Sequence, residues 1–197
     1  AVTLCIRRHG EVLLNRSIGH QKGNGPGDIG EAVVATPDMP MCLFSASKAI
    51  TAMLIHLLEE QGELNVLNPV SFYIPEFGAN GKKNITVQQI LSHRAGIATF
   101  KDIDPEVLFD YDEILNILYN AKPTTIHGRE LAYHAITGGY VLGELVQRIT
   151  GESISEFMRK YIQEPLGFKY FNYGLPDEQY GDLARNYVTG LPIVFPV

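Results

Sequence analysis

Strand-forming sequence is confined to one end of this chain, and that limits the folds open to it. Residues 2–18 read as a β-hairpin. Val2-Thr3-Leu4-Cys5-Ile6 and Val12-Leu13-Leu14-Asn15-Arg16 are rich in strand formers, and His9-Gly10 sits at the turn, where glycine supplies the positive φ of a tight connection. From about Ser45 the apolar pattern takes on helical spacing. Two strands do not make a stable sheet by themselves. The hairpin must be covered by helices alone or joined by further strands lying outside residues 1–197. The second is the expectation.

Between the two regimes, residues 19–41 hold five glycines and three prolines and read as a loop. Gly25-Pro26-Gly27-Asp28-Ile29-Gly30 formally matches G-x-G-x-x-G. A dinucleotide loop must open a helix, however, and this one runs into Ala32-Val33-Val34-Ala35-Thr36-Pro37. Helical spacing then places Ile50, Met53, Leu54, Leu57 and Leu58 on one face, with a stop at Gly62. Asn65 to Pro75 reads as irregular. Thr86 is expected to cap a short helix, Val87 to His93, ended by Gly96. Further helices are expected over 112–120 and 136–149, the latter with Val141, Leu142, Leu145, Val146 and Ile149 apolar, and from a Ser153 cap to Pro165. The last thirty residues read as irregular with one short strand at most.

Hydrophobic residues make up 45% and charged residues 19%, as in ordinary globular chains, and the net charge is −6. Basic residues are scattered, which argues against nucleic acid and against a membrane surface. The longest apolar run, Ala46 to Leu58, is interrupted by Lys48 and His56 and does not suit a membrane span. Cys5 and Cys42 lie in apolar contexts and read as small buried hydrophobes rather than a disulfide or a metal pair. No signal peptide is visible, but a segment could precede Ala1, which leaves cytoplasmic, secreted and periplasmic locations all open.

The sharpest chemical feature is Ser45-Ala46-Ser47-Lys48, the one S-x-x-K of the sequence, at the start of an amphipathic helix. Residues three apart share a helix face, so Lys48 can approach the Ser45 hydroxyl. A lysine in the first turn feels the positive end of the helix dipole, and desolvation also disfavours its charge. Such an amine can accept a serine proton and create a nucleophile. Taken as four letters, the motif equally describes an N-cap serine followed by a solvated lysine. Ser47 is the rival nucleophile, but its i+3 neighbour is Ile50, which accepts no proton.

Phe44-Ser45-Ala46-Ser47-Lys48-Ala49, an apolar helix, and then Glu59, Gly62 and Leu64 resemble the first motif of the serine β-lactamase and penicillin-binding-protein superfamily. The likeness is to the class C β-lactamases and their esterase relatives, the family VIII carboxylesterases. Ile85 to Ile97, Gly138 to Val146 and Glu164-Pro165-Leu166-Gly167-Phe168 resemble further segments of that family, so the likeness covers almost the whole chain. It implies an α+β, β-lactamase/transpeptidase-like fold, an antiparallel sheet flanked by a mostly helical region, with the later strands outside this chain. Residues 1–197 then form the N-terminal portion of one domain: 1–45 the hairpin and loop leading to the nucleophile, 46–165 the helical region, 166–197 a return segment.

The resemblance also assigns roles. The family's second motif, Tyr-x-Asn or Tyr-x-Ser, falls on Tyr133-His134-Ala135. Tyr133 would relay a proton between Ser45 and the leaving group, its phenol held below its free pKa by Lys48. With ten tyrosines present, a core role for Tyr133 is the alternative without the family context. Tyr170-Phe171-Asn172 spells the same motif but follows the Pro165-Leu166-Gly167 turn, in the wrong order. Ala135 stands where the family's asparagine contacts a lactam amide, and an alanine neither donates nor accepts. His134 and Ala135 are the candidate substrate-binding positions, with His134 packing inward as the alternative. His93 is expected to be a structural cation at a helix end, and His127-Gly128-Arg129 to shape the turn entering the site.

The third motif, a Lys-Thr-Gly or His/Trp-x-Gly strand that completes the oxyanion hole, has no match after Tyr133. Thr150-Gly151 and Thr189-Gly190 lack the preceding basic or aromatic residue. The expected activity is acyl transfer through Ser45 on a small ester or amide, most of all carboxylester hydrolysis, with no metal or organic cofactor. A second chain or a C-terminal fragment would complete the sheet. β-Lactam or D-Ala-D-Ala peptide hydrolysis, or an inactive binding protein on the same scaffold, are the alternatives.

Overall fold

The computed structural model describes residues 1–99, 104–125 and 128–188. These divide into two compact units, one of Ala1–Leu43 with the stretch from Gly174 onward, the other Phe44–Tyr173.

In the first unit, β1 (Val2–Arg8) pairs antiparallel with β2 (Glu11–Ile18), Val2 opposite Ile18 and Leu4 opposite Arg16. His9 and Gly10 both have positive φ, 50° and 86°, as a two-residue hairpin turn requires. The register shifts after Ile6. Both faces of the hairpin are open: Val2, Leu4, Ile6, Val12 and Ile18 are all exposed. Cys5 and Cys42 are exposed too, which corrects the expectation of burial from their apolar neighbours. Those neighbours, Leu4, Met41 and Leu43, are themselves uncovered.

The glycine-rich loop contains a second small ladder that the sequence did not suggest, β3 (His20–Lys22) against β4 (Val33–Val34). Asp28 organises it. Its carboxylate accepts the Gly23 and Gly25 N–H groups at 2.7 and 3.0 Å and the Tyr187 hydroxyl. The G-x-G-x-x-G run thus feeds a strand, not a helix.

The second unit is helical: α1 (Ser47–Glu60), α2 (Val70–Tyr73), α3 (Val87–Leu91), α4 (Tyr111–Asn120), α5 (Thr137–Thr150), α6 (Ile154–Met158) and α7 (Glu164–Leu166), with a wider π turn between the last two. Helix α5 is central, packing on α1, α3, α4 and α6. It buries Val141, Leu142, Leu145 and Val146, the side its spacing predicts. On α1 the buried side is Thr51, Leu54, Ile55 and Leu58, rotated from the predicted one, and Met53 faces solvent. Asn65 to Pro75, read as irregular, contains α2 and is followed by a 3-10 turn at Pro75–Gly78. Both short helices with clear start signals carry capping boxes, Thr86 with Gln89 and Ser153 with Glu156. No helix among the described residues is long and apolar enough to cross a membrane.

Candidate active site

Phe44 has a φ of 47°, a backbone region that a β-carbon disfavours. That reversal starts a 3-10 turn, Phe44–Ala46, which runs directly into α1. Ser45 sits in the turn and Lys48 one turn further on. Ser47, the rival nucleophile, turns its hydroxyl back onto the Phe44 carbonyl at 2.6 Å and donates its proton there.

Tyr133 reaches this corner from the segment that precedes α5. Its Oη lies 2.6 Å from Ser45 Oγ, and the Lys48 ammonium stands 5.2 Å from its ring centroid. The structure therefore brings Ser45, Lys48 and Tyr133 together across 88 positions of sequence. Hydrogen bonding to Ser45, and then to Lys48, holds the Tyr133 phenol below its ordinary value. With the phenol neutral, tyrosine donates to Ser45 Oγ. Once its proton is lost the bond reverses, and the serine hydroxyl donates to the phenolate.

Tyr133 is held on both flanks by one residue. The Ala132 N–H donates to the His93 carbonyl at 3.0 Å, and the His134 N–H to His93 Nδ1 at 3.2 Å. The His93 ring also meets the Tyr133 ring edge-on, with centroids 4.9 Å apart. His93 adopts a φ of 59° just past α3 and so directs both its carbonyl and its ring at this segment. Burial, then the charge of Lys48, pushes its imidazole below the ordinary range. The expectation of a helix-end cation at His93 is corrected accordingly. No sequence signal marks this clamp, because residue 93 and the segment it holds lie up to 41 positions apart and share no periodic pattern.

His134 is fully buried. Its Nε2 accepts the Ile97 N–H at 3.1 Å, its ring stacks on His93, and burial lowers its pKa. A side chain so enclosed cannot touch a substrate, so the substrate-binding position assigned to it gives way to packing. Ala135 is exposed, with its N–H turned to the Tyr133 carbonyl at 3.1 Å. Its methyl offers no polar contact. His127 and Thr189-Gly190 lie outside the described residues. Arg94 holds the Gly128–Arg129 segment by donating to the Arg129 carbonyl at 2.7 Å. Thr150-Gly151 is a helix end, Gly151 being the left-handed C-cap of α5.

A serine hydroxyl bonded to a phenol beside an ammonium, on a helix-rich unit, is an arrangement suited to acyl transfer. Solved structures place the fold. A penicillin-binding protein homologue from Caulobacter crescentus matches with a TM-score of 0.85 and 32% identity over 99% of this chain and 50% of its own. A family VIII carboxylesterase matches at 0.79 and 28%, over 89% and 47%. These define the serine β-lactamase and penicillin-binding-protein superfamily. Within it, the chain belongs to the Beta-lactamase family, whose model matches residues 1–194. A curated relative, Esterase/beta-lactamase LipL of Mycobacterium tuberculosis, is 34% identical over 139 residues, 71% of this chain and 32% of the relative. The chain spans less than half the length of the curated relatives it matches.

Proposed function

We propose that this chain carries the nucleophilic part of a serine carboxylesterase. The observation that supports it most is the 2.6 Å contact of Tyr133 Oη with Ser45 Oγ beside Lys48. As phenolate, Tyr133 takes the Ser45 proton while Oγ attacks the ester carbonyl carbon. The Ser45 N–H faces the resulting oxyanion as one of two donors. The tetrahedral species collapses by breaking the bond to the alcohol oxygen, which receives the proton from Tyr133. Water, deprotonated by the same phenolate, then attacks the acyl-enzyme, and the acid leaves with the Ser45 hydroxyl restored. The Lys48 ammonium keeps the phenolate form accessible throughout.

Ester is preferred to lactam because Ala135 presents a methyl where related enzymes hold a lactam amide. The second oxyanion donor is assigned to a strand supplied by a second chain or by a C-terminal segment. Without such a donor the rate falls roughly a hundred- to a thousandfold. The test uses the protein as its gene encodes it. A fluorophosphonate probe should label wild type and not Ser45→Ala, and p-nitrophenyl butyrate should be turned over with little turnover of nitrocefin. Rapid nitrocefin turnover with inert short-chain esters reverses the ranking. A folded protein that takes no label at Ser45 is a binding protein on this scaffold instead.

A further inference from the structure

Within the helical unit a cavity of about 470 Å³ opens between α1, α4, α5 and α6, with Lys48 in its wall. Its volume is that of a small-molecule site. Three tyrosines line it, but each hydroxyl is already bonded to protein. Tyr111 donates to Glu144 Oε2 at 3.2 Å, Tyr140 to the Leu108 carbonyl, and Tyr173 Oη lies 2.6 Å from Thr51 Oγ1. The hydroxyls of Ser47 and Ser153 are turned away likewise, to Phe44 O at 2.6 Å and Glu156 Oε2 at 2.7 Å. What remains for a ligand is mainly aromatic carbon, the side chains of Ile136 and Ile154, and bare helix backbone at Gly139, with the Lys48 ammonium and the Gln147 amide as polar members. A β-carbon at Gly139 would meet no heavy atom within 4 Å, so the missing side chain is open space.

We infer that this cavity is an acyl pocket, taking the unbranched hydrocarbon chain of the ester whose carbonyl is attacked by Ser45. The inference rests on the esterase reading above. The largely apolar wall disfavours a sugar, most of whose hydroxyls would be buried without partners. The acyl side is chosen over the alcohol side by the position of Tyr133. A residue that protonates the leaving oxygen must face the alcohol, and Tyr133 is not part of this wall, nor is Ser45 itself. Lys48, one helical turn beyond the nucleophile, is.

The experiment measures kcat/KM for p-nitrophenyl acetate, butyrate, hexanoate and octanoate. Wild type should gain about fourfold per added methylene until the cavity is filled. Gly139→Leu, which projects into the cavity, should lower the octanoate-to-acetate ratio at least tenfold, and Gly139→Ala by less. Both replace a helix glycine by a better helix former, so the variants should melt no lower than wild type. A flat wild-type series, or the same ratio in a folded Gly139→Leu, overturns the pocket and leaves the esterase reading intact. Chain-length dependence confined to acetyl esters of long alcohols, and removed by Gly139→Leu, overturns the acyl assignment. Ester turnover that survives Ser45→Ala overturns both.

Discussion

Tyr133 sits between a hydroxyl and an ammonium, and both favour its phenolate, which is the form that can act as base. The sign of the pH dependence follows. The rate of Ser45 acylation should rise with pH and level off at an inflection below the ordinary phenol value of 10.0. Lys48→Met removes the cation and should carry that inflection upward, toward 10.0. Tyr133→Phe should abolish it, with a loss of about 10²- to 10⁴-fold in rate. A pH profile that is identical in Lys48→Met and wild type refutes this part of the mechanism. A second titration belongs to His93 and His134, both held below the ordinary imidazole value of 6.5 chiefly by burial. The unfolded chain binds more protons than the folded one once the pH falls below 6.5. Stability is therefore complete above that value and declines on acidification until the folded-state values are passed. Protonation at His93 Nδ1 would also displace the His134 N–H and loosen the Tyr133 segment. Urea unfolding at pH 7.5 and pH 5 should show the decline, and His93→Gln should reduce it. At this scale the motif residues were legible because local spacing puts Ser45 and Lys48 on one turn. The clamp by His93 was not, since nothing local to residue 93 or 133 encodes their meeting.

Among the elements, the best-read helices are those whose start chemistry is local. The Thr86 and Ser153 boxes announce α3 and α6 through four consecutive residues each. The α1 face was misread because Thr51, whose hydroxyl bonds Tyr173, counts as polar in a hydrophobic pattern, although it is buried. Polar burial also governs the end of α4. Lys82 is fully buried, and its ammonium donates to the carbonyls of Ala79 at 2.9 Å, Tyr119 at 3.0 Å and Ala121. It thereby satisfies carbonyls at the α4 C-terminus, where a cation is also favoured by the helix dipole. Sequence reasoning reads such a lysine as solvated surface, since burial of Lys is rare. Lys82→Met keeps the aliphatic stem and strips the donors, leaving buried acceptors unpaired. The expected loss is about 1–3 kcal/mol in chemical denaturation. Gly96 shows the backbone counterpart. At a φ of 72° a β-carbon would stand 2.2 Å from the Thr125 carbonyl oxygen, so Gly96→Ala should be destabilising as well.

Across the molecule, apolar burial is unevenly shared, and this sets an order of local stability. The core cluster runs from Leu54 to Ile162 and lies wholly within Phe44–Tyr173. The hairpin contributes nothing to it, as neither β1 nor β2 contains a buried residue. The hairpin's amides are bonded strand to strand, yet a two-stranded ladder with open faces opens readily in water. Hydrogen exchange on the 197-residue chain should therefore find β1 and β2 amides exchanging far faster than those of α5 near Val141 and Leu145. The argument has a second half. Val2, Leu4 and Ile6 alternate along β1 as a strand buried on one face would, and all three are exposed. If further strands complete this sheet, as proposed for the oxyanion donor, their addition should protect β1 and β2 while leaving α5 unchanged, and should raise the rate of Ser45 labelling with it. Equal protection of hairpin and α5 in the 197-residue chain alone would show that the hairpin needs no added strand. The second oxyanion donor would then have to come from elsewhere.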